Sequence, residues 1–176
     1  LTAIQSADAV ILPQGCRESL YQMACESCAH VFPDYDAKFR YPGKIGQIHL
    51  FQETNVPHPR TETYRTIGNL QSTRFNRQLP TVNRQPSTVN RQIVFKFDWG
   101  GEGKTVFLIE SQEAFQGVLE KAAAFERTGQ SGFLIQEYIP FQYRTLRVVI
   151  IGTRIVSYWR VQENSESFQS SLASGA

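Results

Sequence analysis

The segment IVFKFDWGGEGKTVFLIE, residues 93–110, admits two structures, and the reading of the remaining chain depends on which one forms. Its glycine run closes with GKT at residues 103–105, as a phosphate-binding P-loop does. The P-loop pattern also needs a glycine five residues before Gly103 and a helix directly after the loop. This chain has Asp98 at that position and the strand formers VFLI at residues 106–109. The segment therefore predicts a strand, a glycine turn and a second strand.

A glycine hairpin of this kind can still bind a phosphate. Gly100, Gly101 and Gly103 permit positive φ and close approach of the backbone, so that consecutive amides can surround an anion. Lys96, on the strand that enters the turn, would add a positive charge to the same anion. The alternative is an ordinary glycine-rich hairpin with a solvated Lys104, and the local sequence does not choose between them.

Length and composition set broad limits. The chain has 176 residues, of which 41% are hydrophobic, enough to bury a core as one domain or two small lobes. No apolar run approaches the length of a membrane span and no signal peptide is visible, which predicts a cytoplasmic protein. The chain starts without methionine and ends without an evident closing element, so we expect a fragment of a longer protein.

Residues 71–92 differ in character from the remaining chain. They contain a seven-residue repeat, with four arginines and no acidic residue. The repeat has little apolar surface to offset the entropy of ordering, so we expect a disordered insert. Its arginines account for the formal net charge of +2, since the remaining chain is mildly acidic and lacks a nucleic-acid-binding signature.

The three cysteines do not form a convincing metal site. Cys25 and Cys28 have the spacing of a metal-binding pair, with Cys16 and His30 nearby. No second pair follows, and the segment reads as one amphipathic helix with buried thiols. The sequence therefore predicts structural cysteines rather than a zinc site.

Hydrophobic periodicity and turn residues predict an α+β fold with an antiparallel-rich C-terminal lobe. A helix after Ser111 has apolar residues at helical spacing and Gly129 as its stop. The other predicted helices span residues 17–30 and 43–53, and the strands lie at residues 8–12, 61–64, 133–137, 144–151 and 155–161 and around Ile93.

Five blocks in this order resemble the ATP-grasp superfamily of carboxylate–amine ligases. The resemblance is nearest to the branch that contains glutathione synthetases and the ligases that add glutamate to a ribosomal protein. The blocks are GK at 43–44, VPHPRT at 56–61, VFK at 94–96 with the glycine hairpin, LIQEYI at 134–139 and LRVVIIG at 146–152.

The resemblance implies a fold class, a domain division and a set of site residues. It implies an ATP-grasp-like fold of two lobes, incomplete at its C-terminus. Residues 1–42 would be a partial α/β segment preceding the ATP-grasp domain, 43–70 the first part of that domain, and 93–176 its truncated nucleotide-binding lobe. Phosphates would contact Lys44, Lys96, Gly100, Gly101 and Gly103; adenine would lie at Gln136, Glu137, Tyr138 and Ile139; and Arg147 and Arg160 would act in catalysis.

The resemblance also implies ATP and Mg²⁺ as cofactors and a small carboxylate or peptide as substrate. In such enzymes the carboxylate becomes an acyl phosphate, which an amine or thiol captures. Magnesium ligands are expected beyond residue 176, so we expect this chain to bind ATP without turnover. The alternatives are a non-catalytic nucleotide-binding remnant, or a protein that binds RNA or a partner through the arginine repeat.

Overall fold

A computed structural model of the chain describes residues 2–72, 92–101, 103–140 and 144–161. Almost all of the insert predicted to be disordered lies outside these ranges. Within the described residues, no helix combines the length and the apolar character needed to cross a bilayer.

The N-terminal part is a small α/β unit. Its helices are α1 (Thr2–Gln5), α2 (Glu18–Ser27) and α3 (Asp36–Arg40), and its strands β1 (Val10–Ile11) and β2 (Val31–Phe32) pair in parallel. Its core contains four buried residues, Leu12, Cys16, Tyr21 and Ala24. The predicted strand and helix are present but shorter than expected, and α3 forms where the sequence analysis predicts no helix.

The prediction that the helix buries its thiols is wrong for Cys25. Tyr21 and Ala24 occupy the buried stripe of α2, and Cys25, one position further round the helix, is exposed. Cys28 follows the last turn, where its thiol donates to the Ala7 and His30 carbonyl oxygens at 3.5 and 3.6 Å. All three thiols are free.

The main sheet has four strands in the order β3-β6-β4-β5, and every neighbouring pair is antiparallel. Helix α4 (Gly43–Glu53) precedes the sheet, and helix α5 (Gln112–Arg127) follows β5. The strands are β3 (Thr61–Tyr64), β4 (Ile93–Phe97), β5 (Val106–Ile109) and β6 (Phe133–Glu137), and a 3₁₀ helix spans Ile67–Ser72. The predicted hairpin of strand, glycine turn and strand is confirmed.

The two faces of this sheet differ in character, because successive side chains of a strand point to opposite faces. One face carries Phe95, Phe97 and Phe133, which are almost fully buried and pack with α5 into the main core. The other face carries Lys96 and Gln136, because Lys96 pairs with Leu134 and Gln136 with both Val94 and Thr61. The aromatic core therefore fixes the sheet, and the opposite face presents polar groups.

Helix α5 begins and ends where the sequence predicts. The Ser111 Oγ accepts a hydrogen bond from the Ala114 N–H at 3.1 Å, which caps the first turn. Gly129 follows the helix with φ of 84°, the left-handed conformation that closes many helices.

The last two strands, β7 (Arg144–Ile151) and β8 (Arg154–Val161), form a separate antiparallel ribbon. Both faces expose large apolar side chains; Ile150 on one face is 68% and Ile151 on the other 67% exposed. The mixture of helices with this ribbon and the antiparallel sheet confirms the predicted α+β class.

Two glycines in helices make a matched test of the packing. A Cβ on Gly46 would lie 2.3 Å from the Tyr41 carbonyl carbon, whereas one on Gly117 would meet nothing within 4 Å. We expect Gly46→Ala to lower the free energy of unfolding by about 1–3 kcal/mol. Gly117→Ala should raise it by about 0.5–1 kcal/mol through helix propensity. Urea denaturation measures both, and equal effects of the two substitutions would contradict the described packing of α4.

Candidate functional site

Asp98, the residue that replaces the P-loop glycine, joins helix α4 to the sheet. Its Oδ1 accepts a hydrogen bond from the Ile45 N–H at 2.8 Å, and its carbonyl oxygen accepts one from the Lys44 N–H at 3.2 Å. Pro42, at the N-cap position of α4, contributes no side-chain hydrogen bond. Asp98 therefore supplies the cap of α4 from the end of β4, more than fifty residues away in the chain.

The approach of Asp98 to α4 requires a glycine at the start of the helix. Gly43 has φ of 68°, and a Cβ there would lie 2.4 Å from the Asp98 Oδ1. The GK pair at residues 43–44 thus combines a structural glycine with a lysine whose position that glycine fixes.

The Lys44 side chain extends from α4 to the glycine turn. Its Nζ donates to the carbonyl oxygens of Trp99 at 2.7 Å and Gly100 at 3.1 Å, and to the Thr105 Oγ1 at 3.4 Å. Burial lowers the pKa of Lys44, and the nearby Asp98 carboxylate partly opposes that shift. The ammonium group therefore lies at the turn, held by uncharged oxygens.

The glycine turn connects β4 and β5 and has the shape of a hairpin rather than a P-loop. Gly100 and Gly103 have φ of 78° and 80°, as a tight turn requires. The Thr105 hydroxyl donates to the Trp99 carbonyl oxygen at 2.9 Å, which closes the turn. β5 follows at once, so no helix dipole points into the turn from this side.

Lys96 reaches the same region from β4. Its Nζ donates to the Gln136 Oε1 at 2.6 Å. Burial lowers the pKa of Lys96, and the positive charge of Lys44 lowers it further. The two ammonium groups are therefore close enough to repel each other, and no described acid forms an ion pair with either. Such a pair of half-buried cations favours a polyanionic ligand.

The predicted adenine segment, residues 136–139, is partly committed to the sheet. The Glu137 N–H donates to the Arg60 carbonyl oxygen at 2.9 Å, and the Tyr138 N–H to the Gln92 carbonyl oxygen at 3.2 Å. Neither N–H can donate to a purine without breaking its backbone hydrogen bond. Contacts to adenine from this segment would fall to its carbonyl oxygens and to the exposed Ile139.

Arg147 and Arg160 lie on the separate ribbon. The strand register pairs Arg147 with Tyr158 and Thr145 with Arg160, which places both arginines on one face. Arg147 is exposed and Arg160 half-buried. Among the described strands, β7 and β8 pair only with each other, so the ribbon is not an extension of the four-stranded sheet there. The catalytic roles of these arginines stay predictions.

The described residues do not supply a metal site. Among them, no group of three or more His, Cys, Asp or Glu side chains could hold an ion. The described part of the chain therefore does not fit Mg²⁺ by itself, and no zinc ligands gather around Cys25 and Cys28.

The structural roles of Asp98 and Thr61 were not predicted from the sequence. Asp98 was used only to exclude a P-loop, and Thr61 only as part of one block of the family resemblance. The position of Asp98 at the end of an apolar strand was the available signal for a helix cap. The Thr61 contact, with the Gln136 Nε2 donating to its Oγ1 at 2.8 Å, crosses between strands and leaves no local signal.

Comparison with known proteins identifies the family. The family model described as the RimK-like ATP-grasp domain matches residues 66–176, more than half of the chain. This chain belongs to the RimK-like ATP-grasp family. The resemblance seen in the sequence is thereby confirmed, and no curated protein sequence matches.

Solved structures show the same ATP-grasp fold. N5-carboxyaminoimidazole synthetase from Staphylococcus aureus, complexed with ADP, aligns with a TM-score of 0.62 at 12% identity over 93% of this chain and 40% of its own. Carboxyaminoimidazole ribonucleotide synthase from Aspergillus clavatus, complexed with ATP, gives 0.59 at 15% identity over 92% and 40%. A RimK domain ATP-grasp protein from Sphaerobacter thermophilus DSM 20745 gives 0.51 at 17% over 74% and 45%. The chain thus spans less than half the length of these ATP-grasp structures.

The cap that Asp98 provides can be tested without any ligand. We expect Asp98→Ala to lower the free energy of unfolding by about 1–2 kcal/mol and to speed hydrogen exchange of the Ile45 amide. Asp98→Asn, which keeps an oxygen acceptor, should lose less.

Ser111→Ala is the matched control for that measurement, because it removes a helix cap from α5. It should destabilise the protein to a similar extent while leaving the Ile45 amide protected. Unchanged Ile45 exchange in Asp98→Ala would show that the carboxylate does not hold α4.

Proposed function

We infer that this chain binds ATP as the nucleotide-binding part of an ATP-dependent carboxylate–amine or carboxylate–thiol ligase. One observation carries the proposal: the Lys44 ammonium lies at the glycine turn, and the Lys96 ammonium, on the strand that enters the turn, is near enough for the Lys44 charge to lower its pKa. Membership of the RimK-like ATP-grasp family supports it.

The electrostatics of the two lysines favour a triphosphate. Burial lowers the pKa of both groups, and Lys96 is also shifted by the charge of Lys44. A bound polyanion would give the two ammonium groups anionic acceptors and would offset the repulsion between the cations. The backbone of Gly100, Gly101 and Gly103 would approach the same phosphates, since none of these residues carries a Cβ.

The purine would lie where β6 ends, at residues 137–139. Two structural neighbours are complexes with ADP and with ATP, which supports a nucleotide as ligand for this chain. Val94 and Leu134, on the same sheet face as Lys96, are buried by the protein itself, so the apolar surface open to a ring at this end is that of the exposed Ile139.

In a ligase of this class, ATP supplies the phosphoryl group that activates the substrate carboxylate as an acyl phosphate for capture by an amine or thiol. The lysines of this chain would hold the phosphates and neutralise their charge, and Arg147 and Arg160 would bind the substrate carboxylate. The protein ligands of a magnesium ion would have to lie outside the described residues. Residues 43–70 would belong with 93–176 in one ATP-grasp domain, because β3 pairs with β6.

The first test compares two lysines of the hairpin. With MgATP, the wild-type chain should melt at a higher temperature, as binding to the native state stabilises it. Lys96→Ala should abolish that increase, whereas Lys104→Ala, which removes an exposed ammonium, should keep most of it. Differential scanning fluorimetry measures the shift.

The wild-type result bears on the proposed function itself. No shift with MgATP at millimolar concentration would contradict ATP binding. Equal losses in Lys96→Ala and Lys104→Ala would contradict the assignment of Lys96 as the main phosphate contact.

The second test uses pH. Because the pKa of Lys96 lies below its ordinary value of 10.5, the free protein loses this charge before an exposed lysine would. ATP favours the charged form, so the affinity should fall as the pH rises toward 10.5. Isothermal titration calorimetry from pH 7 upward should show this fall in the wild type. In Lys96→Met the affinity should be low and flatter with pH, and an equally steep fall would contradict the prediction.

A further inference from the structure

The Lys96 ammonium stands at one end of a chain of hydrogen bonds that crosses three strands. The Lys96 Nζ donates to the Gln136 Oε1 at 2.6 Å, and the Gln136 Nε2 donates to the Thr61 Oγ1 at 2.8 Å. The Thr61 hydroxyl in turn donates to the Pro59 carbonyl oxygen at 2.8 Å. The chain runs from β4 through β6 to β3 and the segment before it.

The direction of this chain is fixed by its two ends. An ammonium group can only donate, and a carbonyl oxygen can only accept. The Thr61 hydroxyl therefore gives its one proton to Pro59 and accepts from Gln136 with a lone pair. The Gln136 amide must then turn its nitrogen toward Thr61 and its oxygen toward Lys96, because the reverse orientation would set two donors against each other at Lys96.

Thr61 is linked to Lys96 through the Gln136 side chain. Strand β6 lies between β3 and β4, and neighbouring strands are spaced about 4.8 Å apart. Thr61 and Lys96 are thus about two strand spacings apart, joined by the Gln136 side chain. Gln136 and Thr61 are both half-buried, where a hydrogen bond constrains a side chain more than it does in water.

We propose that Thr61 and Gln136 are positioning residues, which hold the Lys96 ammonium in the place where it meets the triphosphate. The inference rests on the proposed ATP site and adds to it a specific pair of residues. A neutral amide suits this task, because it orients the ammonium without neutralising the charge that the phosphates require. A glutamate at position 136 would pair with Lys96 and compete with the ligand.

The experiment removes the Thr61 hydroxyl and leaves Lys96 and Gln136 in place. Thr61→Val keeps the shape and the strand preference of the side chain. Thr61→Ser keeps the hydroxyl and serves as the rescue. Thr63→Val is the matched control, because Thr63 lies on the same face of β3 and its hydroxyl makes no hydrogen bond with any described residue.

The readout is the affinity for MgATP and for adenosine, which has no phosphate, by isothermal titration calorimetry. Thr61→Val should weaken MgATP binding about 3- to 10-fold, the equivalent of one lost hydrogen bond. Its affinity for adenosine should stay within about twofold of wild type, and Thr61→Ser and Thr63→Val should bind both ligands as wild type does. Gln136→Glu should weaken MgATP more than Thr61→Val does, although it can still accept a hydrogen bond from Lys96.

Three results would overturn the inference. These are an unchanged MgATP affinity in Thr61→Val, an equal loss in Thr63→Val, or a parallel loss of adenosine, since the last two indicate a general effect on the sheet. Failure of the wild type to bind MgATP would instead contradict the proposed function.

A measurement on the nucleotide-free protein tests the hydrogen-bond chain whether or not the wild type binds MgATP. The ε-carbon NMR signal of Lys96 should titrate at a different pH in Thr61→Val than in wild type. Thr63→Val should leave that titration unchanged. Identical Lys96 titrations in all three proteins would show that Thr61 does not act on the ammonium.

Discussion

The cap that Asp98 gives to helix α4 is the constraint on which the site depends. A helix start leaves N–H groups without partners, and here the acceptor is at the end of β4 rather than beside the helix. The same short contact sets where α4 lies on the sheet and where Lys44 emerges. Because Asp98 also begins the glycine turn, one residue fixes both the helix that carries a lysine and the turn that the lysine meets.

The positions of the two lysines follow from this arrangement and are electrostatically unfavourable by themselves. Each ammonium is partly removed from water, and the pKa of each is lowered by burial. Neutral oxygens from Trp99, Gly100 and Gln136 hold the groups in place. The protein thus pays for a charged pocket when it folds, so that less reorganisation is needed when a polyanion arrives.

The sequence predicted local structure well and contacts between elements poorly. The bounds of α4, β3, β6 and β7 agree with the prediction, because apolar periodicity and turn residues report on local backbone. The family resemblance pointed to Lys44 and Lys96. The Asp98 cap and the Thr61–Gln136–Lys96 chain join residues 40 to 75 positions apart, which no periodicity encodes. The predicted burial of the Cys25 thiol was wrong because one position along a helix separates a buried side chain from an exposed one.

The ribbon of β7 and β8 affects how the polypeptide behaves at high concentration. Its two eight-residue strands pair only with each other among the described strands, and both faces are rich in apolar groups, with Trp159 56% exposed. Such a ribbon is a template for intermolecular strand addition. The solution lifetime of the isolated polypeptide should therefore shorten steeply as its concentration rises, and a fusion partner or chaperone that shields the ribbon should lengthen it.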